Sequence, residues 1–415
     1  MKNDNKNNNK PLILLILAAA GPGIIAELAG NDAGGISTFS VAGATYGYHA
    51  LWTVPIAMLM LMVVQESAAR MGAATGKGFA ALIRENFGLR LTTLAMVALL
   101  VSNTAVSLSE FAGIAAGLEL FGINKYVAVP IAGVAVWSLL MGGSYKRIER
   151  VFLVISLVFL TYVVAAFLSE PNWTEVATNT VIPHVLFDKG FIALIIAMIG
   201  TTIAPWMIFF GQSNVVEKGT QIRELFFQRV DVFSGAVVAA AVVWFIITTT
   251  GTVLFSQGIV VDDAASAALA LEPIVGPYAQ QLFAVGLVGA SFLAACVLPL
   301  TTSYAICEAF GWERGTDRTW AQAPIYRGLI TAVIVISCIV VLIPDIDLMG
   351  IMLTAQVING ILLPILLVFL VLIINNRRVM GQWINGKLAN VLTWATVVLV
   401  VILTAVLFVM QALGM

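Results

Sequence analysis

Histidine is nearly missing from this sequence. The two present, His49 and His184, fall at the ends of apolar stretches, so no imidazole lies inside one to titrate near neutral pH. Cysteine is almost as scarce: Cys296, Cys307 and Cys338 lie in or beside apolar stretches at spacings that match no zinc or disulfide framework. They read as small core residues. Charged side chains make up only 10% of the chain, and no polar stretch between the apolar runs is long enough for a soluble domain. These shortages exclude much chemistry, because an intramembrane hydrolase or metalloprotease needs a nucleophile beside a base, or histidines at metal-ligand spacing. The expectation is therefore no enzyme, no cofactor and no nucleic-acid partner.

What fills the chain is apolar: 60% of its 415 residues are hydrophobic, with a mean hydropathy of +1.00. Runs of about 20 residues recur, the length at which a helix crosses a hydrocarbon layer roughly 30 Å thick. Residues 12–46, 50–69, 91–121, 126–142, 151–168, 190–216, 230–255, 278–310, 326–343, 347–374 and 389–413 are the expected spans, all within an all-α membrane protein. Residues 1–11 read as a disordered cytoplasmic tail, and Leu12 as the start of a retained span. With the N-terminus inside, every Lys and Arg except Lys125 and Lys189 falls on the cytoplasmic side, as the positive-inside rule requires. The opposite loops carry acids such as Glu170, Asp188, Asp262, Asp263 and Asp347, a mild attraction for cations or simply solvated loops.

Two of these runs are broken. Gly30-Asn31-Asp32-Ala33-Gly34-Gly35 interrupts the first span, and Gly200 to Trp206, with Pro205, interrupts the sixth. Unwound backbone at membrane depth is tolerated only where protein or a water-filled cavity satisfies it, and a proline there removes a donor and breaks the ladder. Broken helices at matched positions, five spans apart, point to an inverted-repeat transporter with its site between the breaks. The repeats would be 12–168 and 188–375, with an additional eleventh helix at 388–413.

Acids inside spans are costly and mark functional sites. Asp32 sits in the first break, where unpaired carbonyls of Ala29, Gly30 and Asn31 would surround it as a hard, oxygen-only cation site in outline. Glu27 lies about 140° round a helix from Asp32 and faces either the inner vestibule or a neighbouring helix. Glu110, in Ser107-Leu108-Ser109-Glu110, reads as a structural or pathway acid. Gln356 and Asn359, three apart on one helical face, either ligate an ion or its waters or join helices by hydrogen bonds.

The sequence resembles the NRAMP family of divalent metal transporters along nearly its whole length. The likeness rests on Gly21-Pro22-Gly23, Asp32, Tyr46-Gly47-Tyr48 with Leu51-Trp52, Ala68 to Gly72 with Thr75-Gly76-Lys77, Gln356-Val357 through Leu363-Pro364, and Arg377 to Gly381. It implies a LeuT-like fold holding a divalent cation between the unwound stretches. The departures fall in the metal signature. Asp32-Ala33-Gly34-Gly35 stands for Asp-Pro-Gly-Asn, so Gly35 replaces the asparagine ligand, and Ala204-Pro205-Trp206 stands for Met-Pro-His. Gly211 occupies a second histidine's place, Ser107 that of an acid, and Glu27 that of a small residue.

Losing a thioether removes the preference for softer metals, whereas Mg²⁺ demands octahedral oxygen at about 2.0–2.1 Å and keeps its waters. The resemblance thus implies the NRAMP-related magnesium branch. Its seat would comprise Asp32, Gly35, Ala29, Thr201, Ala204, Gln356 and Asn359, with Glu27, Glu110, Trp206 and Ser107 along the pathway. Gly34 and Gly35 are expected to leave space for water around the ion. Without the histidines and the third-span acid, uptake of Mg²⁺ and Mn²⁺ is expected to be uncoupled, by a monomer in a bacterial inner membrane. The alternatives are a proton-coupled Mn²⁺/Fe²⁺ importer whose ligands moved to Glu27 or Met207, and a carrier of amino acids or other organic solutes on the same fold. In the last, Asp32 would repel a substrate carboxylate unless an amine were also bound.

Overall fold

The computed structural model describes residues 32–142 and 157–413. Within them the chain is helical, and nine segments are long and apolar enough to cross a membrane. The helices are α1 (Ala33–Tyr46), α2 (Thr53–Thr75), α3 (Phe79–Glu119), α4 (Lys125–Gly142), α5 (Thr161–Leu168), α6 (Trp173–Val181), α7 (Lys189–Thr202) and α8 (Pro205–Glu217). They continue with α9 (Leu225–Val253), α10 (Ala264–Ala268), α11 (Glu272–Val275), α12 (Ala279–Phe310), α13 (Pro324–Val341), α14 (Leu348–Ile374), α15 (Arg377–Met380) and α16 (Lys387–Ala412). The expected spans 12–46 and 151–168 are represented by α1 and by residues 157–168; the rest of each, with Glu27, Ala29, Gly30 and Asn31, lies outside the described residues.

Burial sorts the spans into a centre and a rim. The most apolar window of residues 189–217 is 83% buried and that of 387–412 only 28%, so α7 and α8 lie inside while α16 faces outward. Rim helices expose aliphatic side chains, including Ile131 and Val134 on α4, Ile339 on α13 and Ile402 on α16. In water such surface would be unfavourable; against acyl chains it is the matching solvent. At the centre α3 packs along α12 and α14, α14 along α7, and α9 along α1. The α7–α14 crossing is close because both helices carry glycine there. A Cβ on Gly200 would sit 2.5 Å from the Gly360 nitrogen and 2.6 Å from the Gln356 oxygen, the small-residue contact that lets membrane helices approach.

Two boundaries and several loops differ from the hydropathy pattern. α2 runs to Thr75 rather than to residue 69, because Arg70 is paired with Glu66 one turn earlier at 3.0 Å and Gly76, at φ 64°, ends the helix. α3 begins at Phe79 rather than 91: Arg84, Glu85 and Asn86 interrupt the apolar run, and Gly88, at φ 71°, joins the two helical pieces at a kink. The loops that look merely solvated contain α6, α10 and α11, too short to show as spans. Residues 182–188 fold back onto the end of α1: the Trp52 indole donates to the His184 carbonyl at 3.2 Å, and the two histidine rings meet edge to face at 5.6 Å.

Candidate metal site

α1 starts where Asp32 caps it. Asp32 is extended, at φ −72° and ψ 175°, and its Oδ1 accepts from the Gly35 N–H at 2.7 Å, the usual duty of an aspartate before a helix. A second acid shares this helix end: Glu110, on α3, accepts the Ala33 N–H with Oε2 at 3.1 Å. The exposed amides and the dipole of α1 thus face two carboxylates. One oxygen of each is engaged. Asp32 is 4% exposed and Glu110 wholly buried, and Glu110 Oε1 has no partner among the described residues.

The sixth-span break forms as the proline dictates. α7 ends at Thr202, Ile203 leaves helical geometry at φ −118° and ψ 62°, and Ala204 is extended before Pro205 begins α8. With proline at position 205, the Thr201 carbonyl has no helical donor four residues on. The Ala204 carbonyl accepts from Met207 at 3.0 Å. Thr201 also brings its hydroxyl to α1, 2.9 Å from where a Cβ on Gly35 would lie, with Asp32 Oδ1 at 3.1 Å from the same point. The two breaks therefore meet at Gly35.

This corrects the expectation that Gly34 and Gly35 leave room for water. A Cβ on Gly34 would collide with the Gln356 amide and stand 2.7 Å from the Ser109 hydroxyl. The glycines let polar side chains of α3, α7 and α14 reach the α1 backbone; the space is taken by those groups. Gln356 turns Nε2 toward Gly34, with no partner among the described residues, while its Oε1 accepts from Asn359 at 3.4 Å. Asn359 donates to the Gly200 carbonyl at 2.7 Å and accepts from the Ser102 hydroxyl. It joins α14 to α7 and α3, one of the two roles its spacing left open, and Ser102, which sequence reasoning passed over, is what holds it.

Of the pathway candidates, Ser107 precedes Glu110 by three residues on α3. Ser107, Ser109 and Trp206 Nε1 are buried polar groups without a partner among the described residues. Trp206 packs on Val106, Ala294 and Leu298, filling the gap between α3 and α12. Gly211 is clear of Asp32, beside the Gln65 side chain. Glu27 and Ala29 lie outside the described residues. A further polar contact that no sequence signal announced is the Ser37 hydroxyl on the Met352 sulfur, at 3.3 Å. Among the described residues no three His, Cys, Asp or Glu side chains gather as a metal cage, so a cation here would be completed by amides, backbone and water.

The family model for natural resistance-associated macrophage protein-like (Nramp) chains matches residues 23–410. The chain belongs to the Nramp family. Membership makes it a multi-pass membrane transporter of divalent metal ions rather than an enzyme. Solved structures share its fold. A crystal structure of the manganese transporter of Eremococcus coleocola superposes with a TM-score of 0.76 at 21% identity, covering 95% of this chain and 87% of that one. MhsT in complex with L-phenylalanine gives 0.59 at 13%, over 94% and 98%. Mhp1, a nucleobase-cation-symport-1 family transporter in a closed conformation, gives 0.56 at 14%, over 94% and 92%. The Nramp chain is thus built on the LeuT-like plan, with its sixth span broken at Ile203 and Ala204.

Proposed function

We propose that this Nramp chain carries Mg²⁺, and Mn²⁺ with it, into the cytoplasm of a bacterium by alternating access, with the ion partly hydrated and no proton coupled to it. The observation behind this reading is the donor set at the start of α1. Asp32, Thr201, Ser109, Glu110 and Gln356 present oxygen and amide groups, and Ala204-Pro205-Trp206 puts neither sulfur nor imidazole at the break itself. Hard oxygen donors with few charges suit an ion that keeps its waters. Binding through Gln356 would use Oε1, so its amide would turn away from Asn359. The repeats 12–168 and 188–375 would rock about this seat, Ala29 and Gly35 would border it, and Glu27 would face the exit. The distribution of Lys and Arg supports an N-terminus in the cytoplasm of a cell whose inner membrane holds the protein.

Flux into proteoliposomes tests the reading. Mg²⁺ is expected to enter and to compete with Mn²⁺, and Asp32→Ala to abolish both while the protein still elutes as a folded monomer. Entry of Mn²⁺ with neither entry nor competition by Mg²⁺ would overturn it. One observation favours the alternative of a softer-metal importer: Met198 and Met207 line a cavity of about 40 Å³ together with Thr201, Phe39 and Thr53, and thioethers suit softer ions. Cadmium competition separates the two readings, since strong block by Cd²⁺ that Met207→Leu relieves would place the ion on sulfur.

A further inference from the structure

A second site lies away from the α1 start. Between α2, α9 and the beginning of α16 a cavity of about 480 Å³ opens on the rim of the bundle. Its floor is one carboxylate shared by two guanidinium groups. Glu66, on α2, accepts from Arg70 Nη2 at 3.0 Å and from Arg229 Nε, on α9, at 2.9 Å. Arg70 is 5% exposed; it also donates to the Trp383 carbonyl at 2.7 Å and to the Asn385 side chain. Arg229 keeps 46% of its side chain exposed. Of the described residues that line the cavity, these three are the charged ones, so the lining carries one net positive charge.

The walls are of another kind. Leu59, Met62 and Val63 of α2 face Phe233 of α9 and Leu392 of α16, with Trp383 at the rim. Leu59, Phe233 and Trp383 are exposed. From Glu66 to Leu59 the α2 face runs seven residues, or about 10 Å of helix. A polar floor with surplus positive charge therefore continues into an apolar groove that points along the span. Arg70 spends its fork on Glu66, Asn385 and the Trp383 carbonyl and offsets the Glu66 charge, which leaves the half-exposed guanidinium of Arg229 to meet a phosphate oxygen; basic pockets between membrane helices recognise anionic headgroups in this way.

We infer that this groove binds an anionic phospholipid, its phosphate on Arg229 and an acyl chain along Leu59, Met62 and Phe233. Since α2 and α9 belong to different repeats, an occupied groove would fasten one repeat to the other. The inference stands apart from the identity of the transported ion.

The purified full chain, stripped of lipid in neutral detergent, tests it without any flux. Phosphatidylglycerol is expected to raise the thermal midpoint and phosphatidylcholine with the same acyl chains to do so much less, with about fivefold tighter binding for the anionic lipid. Brominated phosphatidylglycerol should quench fluorescence that Trp383→Phe removes. Arg229→Gln, which leaves Arg70 to neutralise Glu66, should erase the preference between headgroups; Leu59→Phe with Val63→Phe, which fills the groove from its apolar end without adding a tryptophan, should abolish quenching with Arg229 intact. Equal effects of the two lipids, an unchanged preference in Arg229→Gln, or the same stabilisation by inorganic phosphate alone would overturn the assignment.

Discussion

At the scale of single residues, Asp32 does two things at once. One oxygen caps α1 through the Gly35 N–H at 2.7 Å, which fixes the other in a place set by the helix rather than by a rotamer choice. That an acid stood in a broken span was legible from sequence, because ionisable groups at membrane depth are rare. What surrounds it was not, since Thr201, Ser109 and Gln356 come from three other helices and no local pattern joins them. The clearest prediction follows from Gly35. An asparagine there, the family's residue, would meet the Thr201 hydroxyl 2.9 Å and Asp32 Oδ1 3.1 Å from its Cβ. Gly35→Asn alone is therefore expected to lower Mg²⁺ flux at least tenfold without conferring manganese selectivity, and the added change Thr201→Ala to restore part of it. Flux in the single and double variants checks this, and an active single variant would show that the packing at Gly35 yields easily.

At the scale of helices, the sixth-span break was the most legible feature and the docking of helix ends the least. Pro205 announces the α7–α8 break because it lacks a donor, whereas the closeness of α7 to α14 depends on Gly200 meeting Gly360, two positions that sequence alone does not pair. Gly200→Ala should cost about 1–3 kcal/mol, since the atoms it meets are backbone at 2.5 and 2.6 Å; thermal unfolding in detergent measures it. At the start of α7, Asp188 accepts from the Tyr46 hydroxyl at 2.8 Å and the Phe191 N–H at 3.0 Å. These two bonds, the tyrosine's foremost, hold its carboxyl below the usual carboxylate range. A carboxyl so depressed stabilises the fold above its unfolded value, about 3.9, and the contribution is lost as pH falls through the folded value. Asp188→Ala is expected to lose about 1 kcal/mol at neutral pH, as caps do, with the difference from the parent chain shrinking below about pH 4. Asp188→Asn, still a cap, should keep most of the stability and lose the pH dependence.

For the whole molecule the question is what drives the cargo. The fold was legible from composition and the two matched breaks; the energy source depends on groups that change protonation as the repeats move. His49 and His184 pack against each other at one end of the bundle, and of the two described acids at the start of α1 Glu110 accepts from the α1 amide while Asp32 faces Thr201. No described histidine stands between the α7–α8 break and either end. The uncoupled carriage proposed above would answer to voltage. Each elementary charge crossing 100 mV changes the free energy by about 2.3 kcal/mol, so a doubly charged ion gains about 4.6 kcal/mol and could accumulate by about three powers of ten. In proteoliposomes, an interior-negative potassium diffusion potential of that size is expected to raise Mg²⁺ accumulation by orders of magnitude. A pH gradient imposed with the potential clamped at zero should change neither its rate nor its extent. Accumulation driven by the pH gradient, or interior acidification that follows the ion at zero potential, would mean that a proton travels with it, through Glu110 or a residue outside those described.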